Sequence, residues 1–306
     1  MILGFILGGI FVPVQPEITV APEKLIEEPI VENFLGLGPL YLVNTMTTLA
    51  ATIILLVVIA YFTNRSLKQS AQTDLVPRGI GNLMEAFLEL IYNLTEGSAG
   101  TKWAKAIFPW FATIMIYVLF ANLLKLIPGF ESIGVLHHVP VGHPAPGGIL
   151  QPGEVENGYV LAPFFRGVSV DLNFTATLAL IAVVMIQVIG FRAQGLGYFT
   201  KFFNTRRMFK VPFFGAMDFI VGLLELISEL AKVISFTFRL FFNMFAGVIL
   251  VAVAAFLLGR FTIVPSMLYL FELFVGVIQA FVFGMLTMVF MAQATQGHGE
   301  EHAEAH

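Results

Sequence analysis

Long apolar runs separated by short polar ones set the organisation of this chain. Apolar stretches at about 40–63, 104–127, 170–190 and 266–293 each reach the ~20 residues that a helix needs to cross a bilayer. A further apolar run, 213–258, is much longer. At ~1.5 Å per residue it would extend nearly 70 Å as one helix, about twice the thickness of a bilayer. The pattern therefore predicts either two spans there or one long, steeply tilted helix. Residues 82–96 read differently. Asn82, Glu85, Glu89, Asn93 and Glu96 recur at steps of three and four, opposite Leu83, Phe87, Leu90, Ile91 and Leu94. This two-faced pattern predicts an amphipathic helix lying on the membrane interface. The predicted fold class is all-α: a polytopic membrane protein with about five membrane helices, including a long tilted pair at the C-terminus, plus one interfacial helix.

The segments between are loops in this reading. Residues 64–81 carry Arg65, Lys68 and Arg78, and residues 192–210 carry Arg192, Lys201, Arg206, Arg207 and Lys210. Residues 128–168 are rich in Pro, Gly and His, with Glu131, Glu154 and Glu156 against a single Arg166. Cytoplasmic loops carry the excess of Lys and Arg, so the two basic loops are expected to face the cytoplasm. If 213–258 crosses once, there are five crossings, with the N-terminal side outside and the C-terminal side inside. Residues 1–39 are expected to be an apolar and acidic N-terminal extension. Its first 14 residues are too short to span and lack the basic start of a signal peptide. Residues 40–298 form the membrane domain, and 299–306 a polar His/Glu tail.

Composition narrows the class further. Hydrophobic residues make up 58% of the chain and charged residues 12%, about half the share of an average soluble domain. The runs are continuous rather than alternating, which disfavours a transmembrane β-barrel. There is no cysteine, so disulfides, thiolate metal sites and cysteine nucleophiles are excluded. No Walker loop, dinucleotide fingerprint or nucleophile elbow is present, and no basic field suits nucleic acid. No cofactor is expected. His137, His138 and His143 fall in the long loop and read as hydrated side chains.

The most informative pattern is a polar stripe inside the apolar run. Glu225, Ser228 or Glu229, Lys232, Ser235, Arg239 and Asn243 follow at steps of three or four, so they share one helix face. A charge within the hydrocarbon costs at least ~2.5–3.5 kcal/mol on insertion scales. Such a face must therefore meet water, a partner or another subunit. Glu225, Glu229 and Lys232 could neutralise one another within the helix. Arg239 is different: the positions one turn away are Ser235 and Asn243, with no carboxylate among its near neighbours on the helix. Its guanidinium stays protonated, so its counter-charge must come from another helix or another subunit.

Four segments, in this order, resemble subunit a of the F-type ATP synthase: Asn122-Leu-Leu-Lys125-Leu-Ile-Pro128-Gly129, Asp171-Leu-Asn173-Phe-Thr175, Ser235-Phe-Thr-Phe-Arg239-Leu-Phe-Phe-Asn243-Met-Phe-Ala-Gly247, and Ile278-Gln279-Ala280-Phe281-Val282-Phe283. The resemblance covers about 40–298. It implies a stator subunit that carries protons to and from a rotating c-ring and makes no bond itself. Its implied partners are the c-ring, the b subunits of the peripheral stalk (through 82–96) and lipid. Its implied location is a bacterial plasma membrane. It implies that Arg239 faces the c-ring carboxylates, with Asn243 and Gln279 beside it. Glu225 and Ser235 would line the half-channel toward the cytoplasm. Glu272, Asn122, Ser169, Asp171 and Asn173 would line the other. The chain departs from the family at Val248, Glu272, Lys125 and Phe242, which touches the outer half-channel most.

Two other classes of membrane protein share some of these features. A secondary ion transporter would also hold an intramembrane arginine, but inverted repeats and broken helices are expected there, and no internal repeat is visible. A membrane-embedded protease would need a Ser/His pair, paired aspartates or a metal motif on the spans, and no histidine lies in one.

Overall fold

The computed structural model describes residues 21–26, 28–32, 36, 38–72, 79–125, 127, 133–138, 155–156, 159–202, 212–258 and 263–296. The first 14 residues, the histidines of the tail, His143 and the basic residues Arg206, Arg207 and Lys210 lie outside them. The helices are α1 (Asn44–Gln72), α2 (Ile80–Leu124), α3 (Leu172–Gln194), α4 (Pro212–Leu258) and α5 (Ile263–Thr295). Each contains a stretch long and apolar enough to cross a membrane. The choice left open for 213–258 resolves to one helix of 47 residues. Its apolar part, Ile220–Ala254, has 35 residues. That is about 52 Å of helix against ~30 Å of hydrocarbon, so a single crossing is oblique.

Several boundaries differ from the expected ones. Helix α1 continues to Gln72, so Arg65 and Lys68 ride on its last turns rather than in a loop. Long basic side chains at a helix end can lay their stems on apolar surface and keep their charges in water, so basicity alone does not end a helix. The interfacial stretch and the second span are two arms of α2, broken at Gly100, where φ 72 and ψ 163 depart from the helix. Such a conformation suits glycine because it has no Cβ. In the first arm Met84 and Ile91 are buried, while Leu83 and Leu90 are exposed. The apolar face expected as one stripe is thus shared between the protein's own core and its surroundings.

The long loop also holds a sheet that the periodicity did not indicate. Strands β1 (Gly134–His138), β2 (Val155–Glu156) and β3 (Tyr159–Pro163) are antiparallel, in the order β1-β3-β2. Gly134 pairs with Pro163, and a Cβ on Gly134 would run into the Ala162 carbonyl.

The chain divides into two compact units. One comprises Met1–Val57, Tyr117–Thr175 and Leu240–Ala280; the other comprises Val58–Ile116, Ala176–Arg239 and Phe281–His306. Within the first, small residues let the helices approach: a Cβ on Gly276 of α5 would lie 3.2 Å from Cβ of Asn122 on α2. Within the second, Gly284 of α5 does the same job, since its Cβ would lie 2.9 Å from Met115 and Phe111 of α2. Close backbone approach of this kind is how helices gain packing energy in lipid, where apolar burial gives little. The core of the second unit includes Phe236 of α4, fully packed against Phe283 and Phe290 of α5.

Candidate functional site

In the first unit the polar groups of α2, of the turn before α3 and of α5 meet in the interior. Ser169 lies in a 3-10 turn, Val168–Val170, that leads into α3, and its hydroxyl donates to Oδ1 of Asn122 at 2.6 Å. The Asn122 amide donates in turn to the Gly276 carbonyl of α5 at 3.1 Å. Both side chains are buried. Three residues after Asn122, Lys125 donates to Oε1 of Glu272 at 2.5 Å, with the two side chains 3% and 6% exposed. Two turns along α5 from Glu272, Oε1 of Gln279 accepts the Asn243 amide of α4 at 3.0 Å. Gln279 is buried and Asn243 exposed.

Asp171 sits in the same unit with both oxygens engaged. Oδ1 accepts the Asn173 N–H at 2.9 Å, which caps the start of α3, and Oδ2 accepts the Thr45 hydroxyl of α1 at 2.8 Å. A carboxylate that caps a helix satisfies one of its orphan N–H groups. Asn173 is exposed. Next to Thr45, the Asn44 side chain is fully buried, and neither polar atom of its amide has a partner among the described residues. A buried amide in that state calls for water.

The second unit holds the rest of the stripe. Glu229 is buried, and each of its oxygens accepts a hydrogen bond at 2.8 Å: Oε1 from Lys232 and Oε2 from Gln187 of α3. The Tyr198 hydroxyl extends the chain, donating to Oε1 of Gln187 at 2.7 Å. Lys232 lies 4.8 Å from the centre of the Phe290 ring, a favourable place for a cation. Glu225 and Arg239 are half-buried and Ser235 is exposed. Arg239 and Asn243 lie one turn apart on α4, on the same side of the helix.

The family model described as ATP synthase A chain matches residues 45–292. The chain belongs to the ATP synthase subunit a family.

Among its relatives is the ATP synthase subunit a of Acidothermus cellulolyticus, 32% identical over 235 residues, which are 75% of this chain and 71% of the relative. That of Moorella thermoacetica is 29% identical over 263 residues, 86% of this chain and 95% of its own length. That of Mycobacterium tuberculosis is 30% identical over 262 residues, 85% and 90%. Membership makes this chain a multi-pass membrane component of the synthase, in its proton-translocating stator.

Against that family the site residues fall into three groups. Asn122, Ser169, Glu272, Gln279 and Asn243 come together in the first unit, as bonded pairs or in close sequence along one helix. Asp171 lies in the same unit, where it is bonded to Thr45 and to the Asn173 N–H. Glu225, Ser235 and Arg239 belong to the second unit, and Asn173 to the first. Sequence reasoning missed Thr45, Asn44, Gln187 and Tyr198, and noted Lys125 only as a departure. The Asn44-Thr45-Met-Thr47-Thr48 run at the head of α1 was the available signal: it is too polar for lipid.

Proposed function

We propose that subunit a in this form passes protons between two half-channels and the carboxylates of a turning c-ring, with Arg239 standing between the two. The observation that carries the reading is the buried polar series of the first unit. It runs from Ser169 through Asn122 to the Gly276 carbonyl of α5, with the buried Glu272 about one turn before that carbonyl and the buried Gln279 about one turn after it; Gln279 accepts the exposed Asn243 amide of α4, one turn beyond Arg239. The outer half-channel is assigned to Asn122, Ser169, Asp171, Asn173 and Glu272. The inner one is assigned to Glu225 and Ser235.

The chemistry follows from charge. A c-ring carboxylate that loses its proton within the membrane needs a compensating cation, and the permanently charged guanidinium of Arg239 supplies it. A proton arriving through one half-channel neutralises the carboxylate. The neutral group enters lipid at much lower cost than the ion, which is penalised by at least ~2.5–3.5 kcal/mol on insertion scales. After nearly a full turn the group reaches the other half-channel and releases its proton. Arg239 also repels a proton hopping directly between the half-channels. A membrane potential contributes ~2.3 kcal/mol per charge per 100 mV, so several protons together can drive ATP formation elsewhere in the complex.

In this reading subunit a forms no bond and takes no cofactor. Residues 40–298 are the working membrane domain, 1–39 an extension and 299–306 a tail. The exposed apolar positions Ile227, Leu230, Ile234, Phe238 and Phe242 on α4 give it surface for the c-ring and lipid. Leu83 and Leu90 on the first arm of α2 suit the interface and the b subunits of the peripheral stalk. The membrane is assigned to the plasma membrane of a bacterium, because the relatives named above come from bacteria, with Arg65, Lys68 and Arg192 on the cytoplasmic side.

The test is ATP-driven proton pumping by assembled complexes in inverted vesicles. Glu272→Leu and Glu225→Leu should each slow it by about a hundredfold, the scale of a lost proton-transfer group. Wild-type pumping in either variant would remove that residue from the path.

A further inference from the structure

Lys125 is the feature of the first unit that the resemblance does not account for. Its ammonium and the Glu272 carboxylate form an ion pair in the interior, 2.5 Å apart, with almost no exposure on either side chain. Space for the pair is left at both ends by glycine. A Cβ on Gly247 of α4 would lie 2.9 Å from Oε1 of Glu272, and one on Gly167 would lie 2.9 Å from Cδ of Lys125. Lys125 is also the one hydrogen-bond partner of the Glu272 carboxylate among the described residues. The neighbouring acceptors are already engaged: Oδ1 of Asn122 by Ser169, and the Gly276 carbonyl by Asn122.

Stability gives little reason for such a pair. Removing two charges from water is costly, and well-packed apolar side chains of the same volume hold helices together as well or better. A pair built in this way is better explained by its chemistry. We propose that Lys125 is a positioning and charge-compensating residue of the outer proton path, so that the relay is the Lys125–Glu272 pair rather than Glu272 alone. This rests on the reading that Glu272 carries protons.

The steps balance as follows. A proton from the outer water binds the Glu272 carboxylate and forms an O–H bond. The Lys125 ammonium keeps its three protons throughout. The pair passes from no net charge to one positive charge. When the carboxyl releases its proton toward Gln279, the O–H bond breaks and the pair returns to neutrality. While the proton is present, the net charge repels a second proton, so protons pass singly. The resident ammonium also occupies the place on the carboxylate that a metal cation would take, which favours protons over metal ions at this point. Between transfers the ammonium holds Glu272 in one position.

The experiment compares Lys125→Gln, Lys125→Arg and Glu272→Leu in assembled synthase, by ATP-driven proton pumping and by ATP synthesis under an imposed proton gradient. Lys125→Gln keeps a donor toward Glu272 but removes the charge, and both rates should fall about tenfold or more. Lys125→Arg restores the charge and should bring them back to within about threefold of wild type. A helix contact that needed only a hydrogen bond would not distinguish these two. Wild-type rates in Lys125→Gln, or no recovery in an assembled Lys125→Arg complex, would overturn the proposal while leaving Glu272 on the path. Wild-type rates in Glu272→Leu would withdraw Glu272 from the path and the role of Lys125 with it. If Lys125→Gln fails to assemble, the decision passes to Lys125→Arg, which keeps the charge and leaves Glu272 in place: rates within about threefold of wild type support the proposal, and rates as slow as those of Glu272→Leu overturn it.

Discussion

The Asn243 amide donates to Oε1 of Gln279 at 3.0 Å, tying α4 to α5 one helical turn beyond Arg239. Gln279 is buried and Asn243 exposed, so the bond anchors a surface side chain to an interior one. In the proposed mechanism it holds this turn of α4 in register with α5.

Gln279→Leu removes the acceptor and leaves that turn held only by packing. ATP synthesis by assembled vesicles should fall about tenfold, whereas Gln279→Glu, which keeps an acceptor oxygen, should fall less. Equal rates in the leucine variant and wild type would show that the bond has no part in function.

Glu229 has a different part. Both of its oxygens are bonded, to Lys232 and Gln187, and Tyr198 closes the network. That arrangement makes it a strut between α3 and α4 rather than a relay. Glu229→Ala leaves Lys232 without its carboxylate, and breaking such a pair costs about 3 kcal/mol. The temperature at which this chain leaves the solubilised complex should drop by several degrees. Ser235→Ala, at an exposed position of the same helix, should leave it unchanged. A drop of equal size in both variants would contradict the distinction.

Helix positions and the polar stripe were legible because they depend on spacing along one helix. The pairing of Glu229 with Lys232 needed only a step of three. The resemblance, too, rested on residues close together in the chain. Contacts across the chain were not legible. Lys125 meets Glu272 from 147 positions away, and Thr45 meets Asp171 from 126 away. No periodicity encodes such a meeting, and helix packing brings it about. The strands Gly134–His138 and Tyr159–Pro163 were hidden for a related reason: each is five residues long, and they are paired across a Pro- and Gly-rich stretch that reads as loop. The run of α1 on to Gln72 shows that a basic cluster does not mark a helix end.

Orientation is open to a direct check, since the chain has no cysteine of its own. Ser70→Cys, near the end of α1, and Thr205→Cys should each react with an impermeant thiol reagent in inverted vesicles, where the cytoplasmic face is outward. In intact cells they should stay unlabelled. Labelling in intact cells alone would reverse the topology.

Arg239 carries the central claim. In the proposed mechanism alanine there removes the fixed cation between the half-channels, while lysine keeps a cation but loses the planar fork and can give up its proton. The decisive measurement is proton flux through the membrane sector of vesicles holding assembled Arg239→Ala complex, under an imposed potential, with ATP synthesis followed in parallel. Passive flux should rise above wild type and be abolished by a reagent that modifies the c-ring carboxylate. ATP synthesis should be lost, with Arg239→Lys also unable to synthesise ATP but leaking less. Substantial ATP synthesis by the alanine variant would contradict the account.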